Sequence, residues 1–224
     1  MSRFGPDPHA FFSAVYAHTA PWDIGAAQPA MVALLEAHPP ASPILDAGCG
    51  SGDLAIHLAQ LGHEVIGVDF VAAAVSAAQE RMQALPAAVA QRLRFQVGDA
   101  LRPSAFGQQF GAVVDSGFLH LLDPAQTDAY VGELAQAIRP GGRYYLHAFA
   151  VEFPAPNLPR EVTASEIQAR FTEAAGWRIQ TIAAATFLSQ VAPPTPAICA
   201  CVERIAPAGV KGEAPDDRWA PIGR

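Results

Sequence analysis

The sequence predicts an α/β protein built on a doubly wound, mostly parallel sheet of seven strands. Three observations support this prediction. Short apolar runs alternate with segments of helical periodicity between residues 41 and 150, which is the pattern of a parallel sheet covered by helices. A glycine-rich turn, residues 48–52, joins the first apolar run to the first helical segment. Asp69 and Asp99 each follow a later apolar run, at the end of a strand where such sheets bind ligands.

The individual elements follow from local signals. Phe11, Phe12 and Tyr16 have helix-like spacing in the lead-in, residues 1–28. A short helix is expected over 29–37, because proline is favoured at the first helical position. The other predicted elements are, in chain order, strand 44–47, helix 53–61, strand 64–68, helix 71–85, strand 93–97, strand 111–115, a helix from Asp123 to the turn 139–142, strand 143–149, helix 163–174, and strands 177–183 and 198–202.

We expect one domain over residues 1–206, followed by a flexible tail, residues 207–224. Within that domain, residues 1–40 form an N-terminal helical segment that could act as a lid, 41–150 form the core, and 151–206 supply loops and the last strands. The proline-rich loop 153–160 is long for a simple connection and is a second candidate lid.

Composition excludes several classes of function. The formal net charge of −7 argues against a nucleic-acid partner, because phosphate binding needs clustered Lys and Arg. No apolar run approaches the roughly 20 residues that span a bilayer, and residues 1–8 lack the apolar stretch of a signal peptide. Three cysteines without a CxxC pair favour a reduced compartment and indicate no metal site. We therefore expect a cytoplasmic protein, monomeric or homodimeric, that acts on a small molecule and binds neither membranes nor nucleic acid.

The spacing of the glycine turn distinguishes between ligands. A dinucleotide fingerprint needs G-x-G-x-x-G, and Asp53 occupies the position of its third glycine. The pattern present is D-x-G-x-G-x-G, formed by Asp46, Gly48, Gly50 and Gly52. It resembles the first motif of class I S-adenosylmethionine (SAM) dependent methyltransferases, whose core is a Rossmann-like sheet.

This resemblance extends over residues 40–150 and implies a cofactor site for SAM, with S-adenosylhomocysteine as the product. In the family, four successive strand ends hold the methionine, ribose, adenine and methyl-transfer regions. The matching residues are Asp46, Gly48, Cys49, Gly50 and Gly52, then Asp69 and Phe70, then Asp99 and Ala100, and finally Asp115 and Ser116. Taken singly, an acidic residue at a strand end is more often a helix cap or a solvated loop residue than a ligand contact.

The segment Pro21-Trp22-Asp23-Ile24-Gly25-x-x-Gln28-Pro29 resembles the lead-in of the thiopurine and halide/thiol methyltransferases and their bacterial small-molecule relatives. Residues 114–122 resemble the strand-four region of those relatives. In that group the lead-in closes over the cofactor, which implies that Trp22 packs on it and Gly25 allows close approach. The alternative for Trp22 is a core aromatic residue.

Methyl transfer is a direct displacement, in which positioning can contribute about 7–11 kcal/mol. His120 is the candidate general base if the acceptor needs one; the alternative is a structural histidine. Further candidates for contact with the substrate are Tyr16, Phe118, His147, Phe149 and Arg160.

The leading hypothesis is a SAM-dependent methyltransferase that modifies an oxygen, nitrogen or sulfur atom of a small aromatic or heterocyclic metabolite, such as a natural product, quinone or toxin. A methyltransferase for thiols, thiopurines or halide in detoxification is the alternative. A non-catalytic subunit with the same fold is the third hypothesis. Base-directed methyltransferases of nucleic acids are disfavoured, because residues 115–118 read Asp-Ser-Gly-Phe and lack their Asn/Asp-Pro-Pro-aromatic motif.

Overall fold

The computed structural model describes residues 4–5, 7–154 and 157–206. In these ranges the helices are α1 (Pro8–Tyr16), α2 (Pro29–Ala37), α3 (Asp53–Gln60), α4 (Ala72–Gln83), α5 (Ala87–Ala90), α6 (Pro124–Ala137) and α7 (Ala164–Arg170). The strands are β1 (Ile44–Ala47), β2 (Val65–Asp69), β3 (Leu93–Val97), β4 (Phe110–Ser116), β5 (Ile138–Phe149), β6 (Trp177–Phe187) and β7 (Thr195–Arg204). Short 3-10 helices span Pro103–Phe106, Leu119–Leu121 and Glu173–Ala175.

The seven strands form one sheet in the order β3-β2-β1-β4-β5-β7-β6. The first five strands of this order are parallel, and β7 runs antiparallel between β5 and β6. The predicted α/β fold with a doubly wound, seven-stranded sheet is therefore confirmed. The order reverses between β1 and β4, and in open α/β sheets the crevice at such a point binds the ligand.

Alternate strand residues face two helical layers. In β4, Val113 packs with Tyr130 and Leu134 of α6, whereas its neighbour Val114 packs in the cluster that contains Leu54 of α3. This alternation is the period of two that a pleated strand imposes. Because both faces are buried, β1 and β4 are apolar except for Asp46, Asp115 and Ser116 at or near their carboxyl ends.

Several predicted boundaries shift. Helix α6 ends at Ala137, before the turn 139–142, because Ile138 is already extended and pairs with Phe110 of β4; a residue before proline, such as Arg139, also avoids the helical region. Strands β6 and β7 are longer than predicted, since they pair along their whole length. The predicted helix 163–174 ends at Arg170.

The described part of the chain contains no helix that is both long and apolar enough to cross a membrane. The predicted tail, residues 207–224, lies outside the described residues.

Candidate active site

The glycine turn lies between β1 and α3, and its three glycines have different tasks. All adopt positive φ angles, +72° at Gly48, +53° at Gly50 and +87° at Gly52, which disfavour side chains. A Cβ on Gly50 would lie 2.7 Å from the hydroxyl oxygen of Tyr16, above the turn. A Cβ on Gly52 would lie 2.7 Å from Cζ of Phe95 in β3. Gly50 therefore keeps the floor of the site open, while Gly52 lets the turn pack on the sheet.

Two buried carboxylates lie beside this turn. The Oδ2 atom of Asp46 is buried and has no hydrogen-bond partner among the described residues. Burial raises the pKa of this carboxyl to about 8. Asp69 accepts hydrogen bonds from the amides of Gly50 (3.0 Å) and Val71 (2.9 Å), and burial raises its pKa as well. An unpartnered buried oxygen is costly unless a ligand satisfies it. Both carboxylates can therefore accept hydrogen bonds from a ligand's amine or hydroxyl groups.

The other two predicted carboxylates do not face the site. Asp115 is buried and accepts hydrogen bonds from the amides of Phe118 (2.8 Å) and Leu119 (3.1 Å) and from the Tyr144 hydroxyl (2.8 Å). It closes the turn after β4. Asp99 is exposed and accepts from the amide of Leu101 at 2.9 Å. Both carboxylates organise their own loops and neither lines the cavity described below, so the contact of these two side chains with the cofactor stays a prediction.

A cavity of about 430 Å³ runs along the carboxyl ends of the strands, within the usual size range of small-molecule sites. The predicted site residues that line it are Tyr16, Trp22, Asp46, Gly48, Cys49, Gly50, Asp69, Phe70, Ala100, Ser116, Phe118, His120 and Phe149. The predicted residues that do not line it are Gly25, Gly52, Asp99, Asp115, His147 and Arg160. The cavity thus joins a polar end at the glycine turn to an aromatic end beyond β4 and β5.

The aromatic end is built around His120, whose side chain is only 3% exposed. Its ring stacks on Phe149, with centroids 4.9 Å apart, and lies 6.0 Å from the ring of Phe187. Phe153 adds an edge-to-face contact with Phe149. Burial lowers the pKa of His120 to about 3. These rings, which we call the aromatic chamber (His120, Phe149, Phe153 and Phe187), present flat apolar surfaces to the cavity.

His147 and Arg160 lie outside the chamber. His147 stacks behind Phe187, at 4.4 Å, and bonds the carbonyl of Thr186 through Nε2 (3.2 Å). The guanidinium of Arg160 binds both carboxylate oxygens of Glu166 at 2.7 Å and the carbonyl of Leu122 at 2.6 Å. Each of these two side chains is engaged elsewhere in this structure, so their contact with the acceptor stays a prediction that the geometry does not favour.

The lead-in covers the polar end. Trp22 donates a hydrogen bond from Nε1 to the Tyr16 hydroxyl (3.3 Å) and is 38% exposed at the rim. Burial and the nearby Asp69 raise the pKa of Tyr16, so its hydroxyl stays protonated. Gly25 has a positive φ of +73° but faces open space, and its amide bonds Asp23. Gly25 thus shapes the lead-in rather than the cavity wall.

The contacts that hold the lead-in over the cavity were not predicted from the sequence. The side-chain amide of Gln28 bonds the amide (2.9 Å) and carbonyl (3.0 Å) of Leu188, in the loop between β6 and β7. The backbone N–H of Gln190 donates to the carbonyl of Pro21 at 2.9 Å. Ser51 donates to Asp23 at 2.6 Å, which ties the lead-in to the glycine turn. The only local signal was the Gln-Pro pair before α2, because these partners are far apart in the chain.

The polar end fits the cofactor that the turn implies. Gly50 leaves room for a ligand against the backbone, Oδ2 of Asp46 lacks a partner among the described residues, and Asp69 offers a second buried carboxylate. Amide groups at the start of α3, which begins at Asp53, favour the negative charge of a ligand carboxylate. Together they match a molecule with an amino acid at one end and a nucleoside at the other.

Comparison with known proteins agrees with this reading. Residues 44–142 match a family described as a methyltransferase domain. A 2-heptyl-1-hydroxyquinolin-4(1H)-one methyltransferase of Mycobacteroides abscessus is 29% identical over 170 residues, which cover 74% of this chain and 71% of that protein. A structure solved for the conversion of a disulfide bond into a thioacetal group during echinomycin biosynthesis is 30% identical and superposes with a TM-score of 0.73, covering 88% of this chain and 93% of that one.

The fold is also shared with 1,6-didemethyltoxoflavin-N1-methyltransferase of Burkholderia thailandensis, at 23% identity and a TM-score of 0.67, over 88% of this chain and 87% of that one. The sheet order, the glycine turn and these similarities lead to one assignment. The chain belongs to the class I SAM-dependent methyltransferases, and its cofactor is S-adenosylmethionine.

Proposed function

We propose that this enzyme methylates an oxygen or nitrogen atom of a small, planar heteroaromatic metabolite. The observation that carries the proposal is the aromatic chamber, which opens directly into the cavity that begins at the glycine turn. Stacked rings such as those of Phe149 and His120 bind flat acceptors by offset stacking, which contributes about 0.5–1.5 kcal/mol for each ring pair beyond the area buried.

The residues at the polar end have separate proposed roles. Asp69 accepts hydrogen bonds from the ribose hydroxyls, and Asp46 accepts from the amino group of the methionine part. Ser116, whose buried Oγ lacks a partner among the described residues, lies between the two ends of the cavity. SAM supplies a methyl group activated by a positively charged sulfur. The chain itself positions the acceptor and excludes water, with the N-terminal helical segment, residues 1–40, as the lid of a single domain.

The similarity to a hydroxyquinolone methyltransferase supports a heteroaromatic acceptor. The rim of the cavity adds a second argument, because Trp22, Leu158 and Val191 are exposed by 38%, 36% and 74% and all line it. Exposed apolar groups gathered at one mouth mark a binding surface. An acceptor with an apolar substituent therefore fits better than a small polar one.

The test is release of S-adenosylhomocysteine from SAM with a panel of acceptors. We expect turnover with hydroxylated quinolones and nitrogen heteroaromatics, with kcat/KM rising when an alkyl chain is added. Aliphatic thiols and halide serve as the comparison set. Turnover confined to thiols or halide would contradict the proposal.

A sulfur acceptor is the second candidate, because the relative associated with thioacetal formation is 30% identical over most of its length. A thiolate needs no proton acceptor, and the chamber would accommodate an aryl thiol. Competition between a thiol and a hydroxyquinolone of similar shape separates the two candidates. We further propose a monomeric or homodimeric protein of the cytoplasm, which light scattering at several concentrations and cell fractionation will check.

A further inference from the structure

The imidazole of His120 makes one hydrogen bond that fixes its tautomer. The backbone N–H of Phe149 points at Nδ1 over 3.1 Å. A backbone amide can only donate, so Nδ1 holds a lone pair and not a proton. In a neutral imidazole the single proton then lies on Nε2.

The surroundings keep this ring neutral. His120 is buried between Phe149 and Phe187. The titratable and charged groups near enough to act on it electrostatically are His147 and Arg160, and both disfavour a positive charge on the ring. Burial and these two groups lower the pKa of His120, so that at neutral pH the ring carries no charge and has no free lone pair.

The Nε2 side of the His120 ring lies next to Gly117, and both residues line the cavity. A Cβ built on Gly117 would lie 3.6 Å from Nε2 and 3.3 Å from Cζ of Phe187. Gly117 has a φ of +102°, so a side chain is disfavoured on two counts. Nε2 makes no hydrogen bond with residues that the structure describes. The chamber therefore presents one polar group to an acceptor, and that group is an N–H donor.

We propose that His120 is a hydrogen-bond donor to the acceptor and not its general base, and that the enzyme selects heteroaromatic acceptors that enter as anions. This inference rests on the proposed function and deepens it. The donor binds an oxygen or nitrogen that shares the negative charge of the acceptor. It thereby holds the anion in the chamber and lowers the acceptor's pKa in the site.

The proton and electron balance is complete without a base. The acceptor releases its proton to solvent before it binds. Its heteroatom then forms a bond to the methyl carbon with its own electron pair, while the carbon–sulfur bond breaks toward sulfur. A neutral methylated product and a neutral thioether result, and no proton crosses the site. The favoured substrates are thus acidic hydroxyl or N–H heteroaromatics.

Three substitutions separate a donor from a base. In His120→Gln the amide nitrogen can replace Nε2 as a donor but cannot act as a base. In His120→Asn the amide oxygen replaces Nδ1 and the donor is lost, and His120→Phe lacks both groups. With ring-substituted 1-hydroxyquinolin-4-ones as probes, we expect kcat/KM to fall about 10- to 100-fold in His120→Asn and His120→Phe, the scale of a lost hydrogen bond to a charge. His120→Gln should retain most of the activity.

The pH profile gives a second criterion. We expect the rise of kcat/KM with pH to follow the pKa of each probe, with the same midpoint in the wild type and in His120→Gln. A midpoint that is independent of the probe, together with a His120→Gln variant as inactive as His120→Phe, would overturn the inference.

The tautomer of His120 can also be measured directly, in an experiment that does not depend on enzyme activity. Nitrogen NMR of histidine-labelled wild-type enzyme bound to S-adenosylhomocysteine should show His120 protonated on Nε2 throughout the neutral pH range. A proton on Nδ1, or titration near pH 7, contradicts the inference even if a variant fails to fold. If the wild type turns over no heteroaromatic acceptor at all, the proposed function is wrong and this inference falls with it.

Discussion

Gly50 lies where the hydroxyl of Tyr16 approaches the turn, and its φ of +53° disfavours any side chain. We predict that Gly50→Ala weakens binding of S-adenosylhomocysteine. A methyl group there meets the Tyr16 hydroxyl at 2.7 Å, and overpacking costs about 1–3 kcal/mol, which is roughly 5- to 150-fold in affinity. Titration calorimetry measures the change.

The matched control is Gly107→Ala, because Gly107 also has a positive φ, +72°, but a Cβ there meets nothing within 4 Å. Both variants carry the strain of a left-handed residue, about 1–2 kcal/mol. Only Gly50→Ala should lose affinity, and Tyr16→Phe in the same chain should restore part of it. Equal affinity in both alanine variants would remove Gly50 from the cofactor site.

The raised pKa of Asp46 should make the free energy of unfolding depend on pH. Its pKa is about 8 in the folded protein, compared with an ordinary value of 3.8, so the unfolded chain loses this proton first as the pH rises. The free energy of unfolding of the ligand-free protein should therefore fall between about pH 4 and pH 8. We predict a smaller fall for Asp46→Asn, measured by urea denaturation. Asp115, whose pKa is raised to about 6, acts in the same direction in both proteins, and an identical slope in both would contradict the prediction.

At the scale of elements, Arg160 joins the end of the loop after β5 to two helices. Its guanidinium bonds Glu166 of α7 and the hydroxyl of Thr127 in α6. We predict that Arg160→Ala and Glu166→Ala each lower the free energy of unfolding by about 1.5–3 kcal/mol, the range for hydrogen bonds to charged groups. If Arg160 has only this structural role, the two substitutions should change the KM for the acceptor by the same factor.

Glu166 does not line the cavity, which makes it the control for a purely structural role. A KM that rises strongly in Arg160→Ala alone would return Arg160 to the acceptor site. Denaturation curves and initial rates on the same samples provide both readouts.

The elements also show what a sequence can predict. Strand ends are local features, so Asp46, Gly50, Asp69 and Ala100 were correctly expected at one edge of the sheet. The direction of a side chain at such an end depends on the nearest amide donors, and those donors turn the carboxylate of Asp115 into its own loop. No periodicity or motif encodes that choice.

Contacts between segments that are far apart in the chain could not be predicted from the sequence either. Gln28 and Leu188 are separated by 160 positions, and pairing between them follows only from the completed sheet. The bond from the Arg160 guanidinium to Thr127 in α6, 33 positions away, could not be predicted from the sequence for the same reason.

For the whole molecule, the site is covered by two segments that come from opposite ends of the described chain. Gln28 and Pro21 of the lead-in are hydrogen-bonded to residues 188–190. We predict that S-adenosylhomocysteine slows hydrogen exchange in residues 8–28 and 187–195 as well as at the turn 46–53, because the ligand stabilises the closed cover. Mass spectrometry of peptides measures this.

Peptides from residues 87–94, at the opposite edge of the sheet, serve as the reference and should not change. Protection limited to the turn would mean that the cover moves independently of the cofactor. Protection of every peptide would indicate global stabilisation instead.

The position of β7 has a consequence for how the protein is made. This strand pairs with β5 on one side and β6 on the other, and it brings Ala197 beside Phe149 and Thr195 beside Phe187. Because a ribosome releases the chain from its N-terminus, β5 and β6 are synthesised before β7. The edges that pair with β7 therefore stay unpaired until residues 195–204 have emerged. The nascent chain can complete the glycine turn early, but it acquires its acceptor chamber only after residues 195–204 have been synthesised.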